Sequence, residues 1–144
     1  MKLHPEILMV EDDENDILIA LRALKRHQLR DKVAIAHDGE EALEMLGTEG
    51  TPPRVMLLDL RMPRLDGMAL LRRLRASERT RTLPVVVVSS SAQPRDIEES
   101  YRLGANSYVC KQYDPARPGE YLVDVVRYWL GLNCPAAQPA GDKG

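Results

Sequence analysis

The sequence predicts an α/β fold: one five-stranded parallel sheet with helices on both faces. Three observations predict it. Short apolar runs recur along the chain, Ile7-Leu8-Met9-Val10, Val33-Ala34-Ile35-Ala36, Val55-Met56-Leu57-Leu58, Val85-Val86-Val87-Val88 and Ser107-Tyr108-Val109-Cys110, and runs of this length read as buried strands. Between them lie stretches with apolar residues at helical spacing, and alternation of strand and helix implies parallel pairing. Four of the runs also stop at chemistry-bearing residues: Glu11-Asp12, Asp59, Ser89-Ser90 and Lys111. Ligands of open parallel sheets bind beyond the carboxyl ends of the strands, so these groups are expected along one edge.

The elements follow in order. After the first strand, Asp13 is a candidate N-cap, and Glu14 and Asp16 fall in the first turn, where negative charge suits the helix dipole. Ile17, Leu21 and Leu24 carry that helix to an end near His27. Asp38-Gly39 turns the chain from the second strand into a helix with Ala42, Leu43 and Leu46, broken by Gly47, Gly50 and Pro52-Pro53. Beyond Asp59 comes a loop over 60–65, and Asp66 caps a helix with Leu70, Leu71 and Leu74. A polar stretch from Ser77 to Thr82 leads to Pro84 and the fourth strand. Pro94 suits the first turn of the next helix and Gly104 its C-terminal stop. Pro115, Pro118 and Gly119 mark a loop before a last helix with Leu122, Val125, Val126 and Trp129. Residues 1–133 read as one domain and 134–144 as a disordered tail.

Composition narrows the class. A chain of 144 residues buries one real core and leaves no room for a second such domain. The net charge of −2 provides no field for nucleic acid, and no apolar run approaches the ~20 residues of a membrane span. Met1-Lys2-Leu3-His4-Pro5 lacks the apolar segment of a secretory signal. Two cysteines, Cys110 and Cys134, make no disulfide framework, and Cys110 reads as a small buried hydrophobe. A soluble, reduced, cytoplasmic protein is expected. The arginines Arg72, Arg73, Arg75, Arg79 and Arg81 read as a solvated helix face and loop.

The strand-end residues carry the chemistry. Glu11, Asp12 and Asp59 crowd three negative charges together, which opposes full ionisation unless a cation compensates. An oxygen-only set suits Mg²⁺, and His4, His27 and His37 are too scattered to form a zinc cluster. Lys111 offers a mobile positive charge for a phosphate oxygen, and Ser89 a hydroxyl donor. Together these are the parts for phosphoryl transfer to a carboxylate. Asp13 reads as a cap rather than a ligand.

The segments VEDDEND, LLDLRMPRLDG, VVVVSSSA and SYVCK resemble the receiver domain of two-component response regulators, over roughly Glu6 to Leu130. The resemblance implies the flavodoxin-like strand order 2-1-3-4-5, and a signalling module rather than an enzyme. By the same resemblance Asp59 accepts a phosphoryl group from a sensor histidine kinase. Asp12 ligates Mg²⁺ directly, Glu11 acts largely through water, and the Arg61 backbone carbonyl completes the set. Ser89 is the hydroxyl that swings to the phosphoryl group, Tyr108 the aromatic that moves with it, and Lys111 the ammonium that contacts its oxygens. Two departures stand out. Gln112 follows Lys111 where the family usually has a cis proline, leaving either a trans loop or a strained cis bond. Arg61 and Ser91 occupy positions that in the family tune phosphorylation and dephosphorylation rates.

No DNA-binding segment follows the last predicted helix, so output is expected through a partner protein, dimerisation or a phosphorelay. Tyr121, Val123, Tyr128, Trp129, Leu130 and Leu132 exceed what one helix face buries, which points to a homodimer through the C-terminal segment. The alternative is a helix end folded back on its own domain. This ending also resembles regulators paired with phytochrome-like sensor kinases. The rival function is a phosphorylation-independent interaction domain. A dehalogenase-like phosphatase would want a second aspartate at the position of Arg61, and a flavodoxin-like cofactor binder would find phosphate repelled by Glu11-Asp12-Asp13.

Overall fold

The computed structural model of the chain describes residues 5–47, 50–62 and 64–136. Strands β1 (Ile7–Val10), β2 (Val33–Ala36), β3 (Val55–Leu58), β4 (Val85–Ser89) and β5 (Ser107–Cys110) alternate with helices α1 (Glu14–Arg26), α2 (Gly39–Leu46), α3 (Gly67–Ala76), α4 (Pro94–Arg102) and α5 (Glu120–Arg127). All strand pairs are parallel, in the order β2-β1-β3-β4-β5. A 3-10 turn (Arg30–Lys32) precedes β2, and a π-helical turn (Tyr128–Leu132) extends α5. Residues 1–4, 48–49, 63 and 137–144, the last within the expected disordered tail, lie outside the described residues. Cys134, Pro135 and Ala136 are exposed coil.

Continuous apolar runs fit because each strand feeds two cores. Leu8, Val10, Met56, Leu58, Val85 and Val87 meet Leu46, Leu70, Leu71 and Leu74 on one face. Ile7, Met9, Val55, Leu57, Val86 and Val88 meet Ala20, Ala23, Leu24, Leu122, Val123 and Val126 on the other. Alternate side chains of a strand point to opposite faces, so polar interruptions would break one core or the other. Three helices start where their caps predict: the side chains of Asp13, Asp38 and Asp66 accept from the N–H of Asp16, Glu41 and Ala69. Pro94 opens α4, and Gly104, after that helix, adopts a φ of +107°.

Four readings are corrected. β4 continues through Ser89, because Ser89 pairs with Cys110 and its carbonyl accepts from the Lys111 N–H at 2.8 Å. Cys110 is exposed, not buried, since β5 is an edge strand whose last residue has a neighbour on one side only. Arg75 and Arg79 are not simply solvated. Arg75 donates to the carbonyls of Thr80, Leu83 and Gly104 and to Asn106 Oδ1, and Arg79 donates to the carbonyls of Leu46 and Gly50. Much of the C-terminal apolar excess also folds back. Val123 is buried, and Tyr121, Trp129 and Leu130 pack against the α1/α5 core. Tyr128 and Leu132 remain 47% and 77% exposed.

Candidate functional site

Strand register brings the acidic residues together. Val10 pairs with Leu58, so the next residues, Glu11 and Asp59, leave adjacent strands side by side. The Asp59 N–H donates to the Val10 carbonyl at 3.0 Å, and the Glu11 N–H to the Ala36 carbonyl at 2.9 Å. Asp12 follows in the turn before α1. Carboxylate oxygens of Glu11, Asp12 and Asp59 lie within 4.8 Å of one another. Glu11 and Asp59 are 5% and 8% exposed.

Burial pushes the Glu11 carboxyl up to about 7, and the Asp59 carboxylate beside it pushes the same way, against the opposing pull of Lys111. Burial also raises Asp59, opposed by hydrogen bonds from Glu11 and the Arg61 backbone and by the Lys111 charge. Burial and mutual repulsion therefore favour one proton shared between Glu11 and Asp59. Three hard oxygen donors in that state are what a divalent cation of the Mg²⁺ type would displace the proton from. The donor set fits Mg²⁺, with Glu11, Asp12 and Asp59 as the residues that would hold it.

This proton has a measurable consequence. Glu11 has a folded pKa above its unfolded value near 4.5. Its contribution to stability is thus complete below about 4.5 and lost as pH rises through about 7. Urea denaturation in chelator should show stability falling between pH 5 and 8, by no more than about 1.4 kcal/mol per pH unit for one proton. Saturating Mg²⁺ should flatten that slope. A flat profile in chelator would contradict the shared proton.

Lys111 lies over the acidic pocket, its side chain 8% exposed. Its Nζ is 2.8 Å from Glu11 Oε1, 2.7 Å from Asp16 Oδ2 and 3.8 Å from Asp59 Oδ1. Burial disfavours the ammonium, but pairing with Asp16 and Glu11 outweighs this and raises its pKa. The Lys111–Gln112 bond is trans, as are all described peptide bonds. Asp16 is a site residue that the sequence reading missed; an acid in a first helical turn reads as a dipole partner.

Ser91 links Ser89 and Tyr108. Its N–H donates to Ser89 Oγ at 3.1 Å, and its carbonyl accepts from the Tyr108 hydroxyl at 2.8 Å. Its own hydroxyl donates to Asp96 in the first turn of α4. Ser89 is 1% exposed, and Tyr108 is half-buried. Arg61 is exposed, and its backbone hydrogen-bonds the Asp59 carboxylate. Of the predicted site residues, Glu11, Asp12, Asp59 and Lys111 converge directly, while Ser89 and Tyr108 meet one another through Ser91.

No helix of the described residues is long and apolar enough to cross a membrane. Comparison with known proteins agrees with this architecture. The family model for the response regulator receiver domain matches residues 7–122. The probable methanogenesis regulatory protein FilR2 of Methanothrix harundinacea is 34% identical over 88% of this chain and 84% of its own. Response regulator Rcp1 of Synechocystis is 30% identical over 91% of this chain and 93% of its own. The structure of Rcp1 in its Mn²⁺-bound form has a TM-score of 0.78 at 26% identity, covering 92% of this chain and 100% of that one. The phosphorylated cyanobacterial phytochrome response regulator RcpA has a TM-score of 0.81 at 30% identity, covering 94% of this chain and 100% of that one. By the model match and by these relatives, the chain belongs to the response regulator receiver domain family.

Proposed function

We propose that this receiver domain takes a phosphoryl group from the phosphohistidine of a sensor histidine kinase onto Asp59, with Mg²⁺ held by Glu11, Asp12, Asp59 and the Arg61 carbonyl. The observation that carries the reading is the placement of Asp59. It is a buried carboxylate at the end of the central strand, ringed by Glu11, Asp12 and Lys111. Relatives named as phytochrome response regulators favour a phytochrome-like kinase as the donor, and the Mn²⁺-bound relative favours a divalent cation.

In the transfer, an Asp59 carboxylate oxygen attacks phosphorus as the phosphorus–nitrogen bond to the donor imidazole breaks. The imidazole leaves with the bonding pair and takes up a proton. Mg²⁺, when bound, offsets the charge on the transferring group and fixes its orientation. Lys111, 3.8 Å from Asp59 Oδ1, is within reach of an oxygen of the incoming group. Ser89 accepts from Ser91 N–H and keeps its own proton to donate. Drawing Ser89 toward the phosphoryl group pulls on Ser91, whose carbonyl anchors Tyr108 and whose hydroxyl anchors α4. Helix α4 is ready to respond, since Ser100 is its one buried residue. The surface of α4, β5 and α5 then passes to a partner as a population shift between two packings, or the phosphoryl group moves on in a relay.

Incubation with the acyl phosphate acetyl phosphate and Mg²⁺, followed by peptide mass mapping, tests the reading. One added phosphoryl group on the Asp59 peptide is expected; no adduct would favour an interaction domain that works without phosphorylation. We also place a homodimer contact at the C-terminal turn, where Tyr128 and Leu132 stay exposed. Tyr128→Ser combined with Leu132→Asp should shift sedimentation toward monomer, lowering the association constant about tenfold or more. Unchanged sedimentation of the double variant would remove this contact.

A further inference from the structure

We propose that Asp16 is the positioning residue for Lys111, holding its ammonium against α1 in competition with the phosphoryl group on Asp59. The inference rests on the phosphoacceptor reading of Asp59 and adds a residue to it. Its basis is geometric. Lys111 Nζ reaches Asp16 Oδ2 at 2.7 Å and Glu11 Oε1 at 2.8 Å, both hydrogen-bond distances, while Asp59 Oδ1 at 3.8 Å is beyond one. An ammonium has three donors, and two of them are committed away from Asp59. Lysine 111 is therefore held to one side of the group it is meant to serve.

Asp16 is well placed to hold it. Its backbone N–H is fixed by the Asp13 cap, so the helix start sets the side chain's position and does not depend on it. The pair is shielded, with Lys111 side chain 8% and Asp16 side chain 23% exposed. Shielded ion pairs cost more to break than surface pairs. Asp16 also lines the cavity of about 370 Å³ that Glu11, Asp59 and Lys111 share with Ile19 and Tyr121. A phosphoryl group on Asp59 offers Lys111 three acceptor oxygens. To turn to them, Lys111 gives up part of its bond to Asp16 and leaves that partly buried carboxylate without its ammonium, which is unfavourable. Asp16 thereby opposes the phosphorylated state and sets how readily Lys111 is released.

The test uses full-length protein, saturating Mg²⁺ and beryllofluoride as the phosphoryl mimic, with affinity read by calorimetry. Asp16→Asn should bind the mimic about tenfold more tightly, and Asp16→Glu should return affinity toward wild type. Glu14→Gln makes the same charge change on the exposed side of the same helical turn and should leave affinity near wild type. In mimic-free protein, the Lys111 ammonium resonance should shift in Asp16→Asn and recover in Asp16→Glu. Equal or weaker mimic binding by Asp16→Asn overturns the proposal, as does an equal gain in Glu14→Gln. Wild-type protein that takes no mimic overturns the phosphoacceptor reading, and this proposal with it. Should Asp16→Asn fail to fold, Asp16→Ser provides the same comparison.

Discussion

Asp59→Asn protein is expected to take up no phosphoryl group from acetyl phosphate or from a phosphorylated kinase. The amide keeps the shape of the side chain but lacks the nucleophilic, metal-binding oxygen pair. None of the neighbouring carboxylates replaces it: Glu11 is engaged by Lys111, and Asp12 sits in the turn before α1. Loss of labelling by at least two orders of magnitude is the expected size, since the acceptor itself is removed. The same change should raise stability in chelator. It deletes one of three crowded carboxyls and relieves Glu11 of the neighbour that helps push its pKa up to about 7. Labelling at the wild-type level would move the acceptor elsewhere. A stable, unlabelled variant that still binds the downstream partner equally well would support an interaction domain indifferent to phosphate.

Gly67→Ala should be the most damaging conservative change at the site. A Cβ there would lie 2.5 Å from the Asp59 carbonyl oxygen and 2.7 Å from Leu60 Cα. Both are backbone atoms, so no side-chain rotation makes room. The Gly67 N–H also donates to the Leu60 carbonyl at 3.0 Å, which binds the start of α3 to the chain just beyond Asp59. Relief of the clash must shift either α3, with Leu70, Leu71 and Leu74 in the core, or the strand end that carries Asp59. Destabilisation of about 3 kcal/mol, the upper end for overpacking, is expected. That corresponds to a fall in melting temperature on the order of 10 °C. Weaker beryllofluoride binding should accompany it. Gly131→Ala is the comparison, because nothing lies within 4 Å of its added Cβ. Equal melting temperatures for the two variants would show that the α3 start yields freely.

The strands and the strand-end residues were legible because burial on both faces demands unbroken apolar runs, and polar groups then stand out at their ends. Register was not legible. Nothing in the runs themselves says that Val10 faces Leu58, yet that pairing brings Glu11 and Asp59 together. Asp16 escaped notice because its role depends on Lys111, 95 positions away. Cys110 looked buried by type, and only its place on an edge strand exposes it. Helix periodicity does not foresee the π-helical turn that packs Trp129 and Leu130 against the core while Tyr128 and Leu132 stay exposed. Arginines 75 and 79 misled in the opposite sense. Their charge suggested solvent, but their guanidinium groups close backbone carbonyls at the base of the fold.

Arg75 has a mechanical consequence. Through Leu83, Gly104 and Asn106, whose Oδ1 also accepts from the Val85 N–H, it fastens the entrances of β4 and β5 to one guanidinium. The exits of the same two strands carry Ser89 and Lys111. On the phosphoacceptor reading, the two strands are expected to act as a reed clamped at its root, so that a pull at Ser89 reaches Ser91, α4 and Tyr108 before the foot of the sheet.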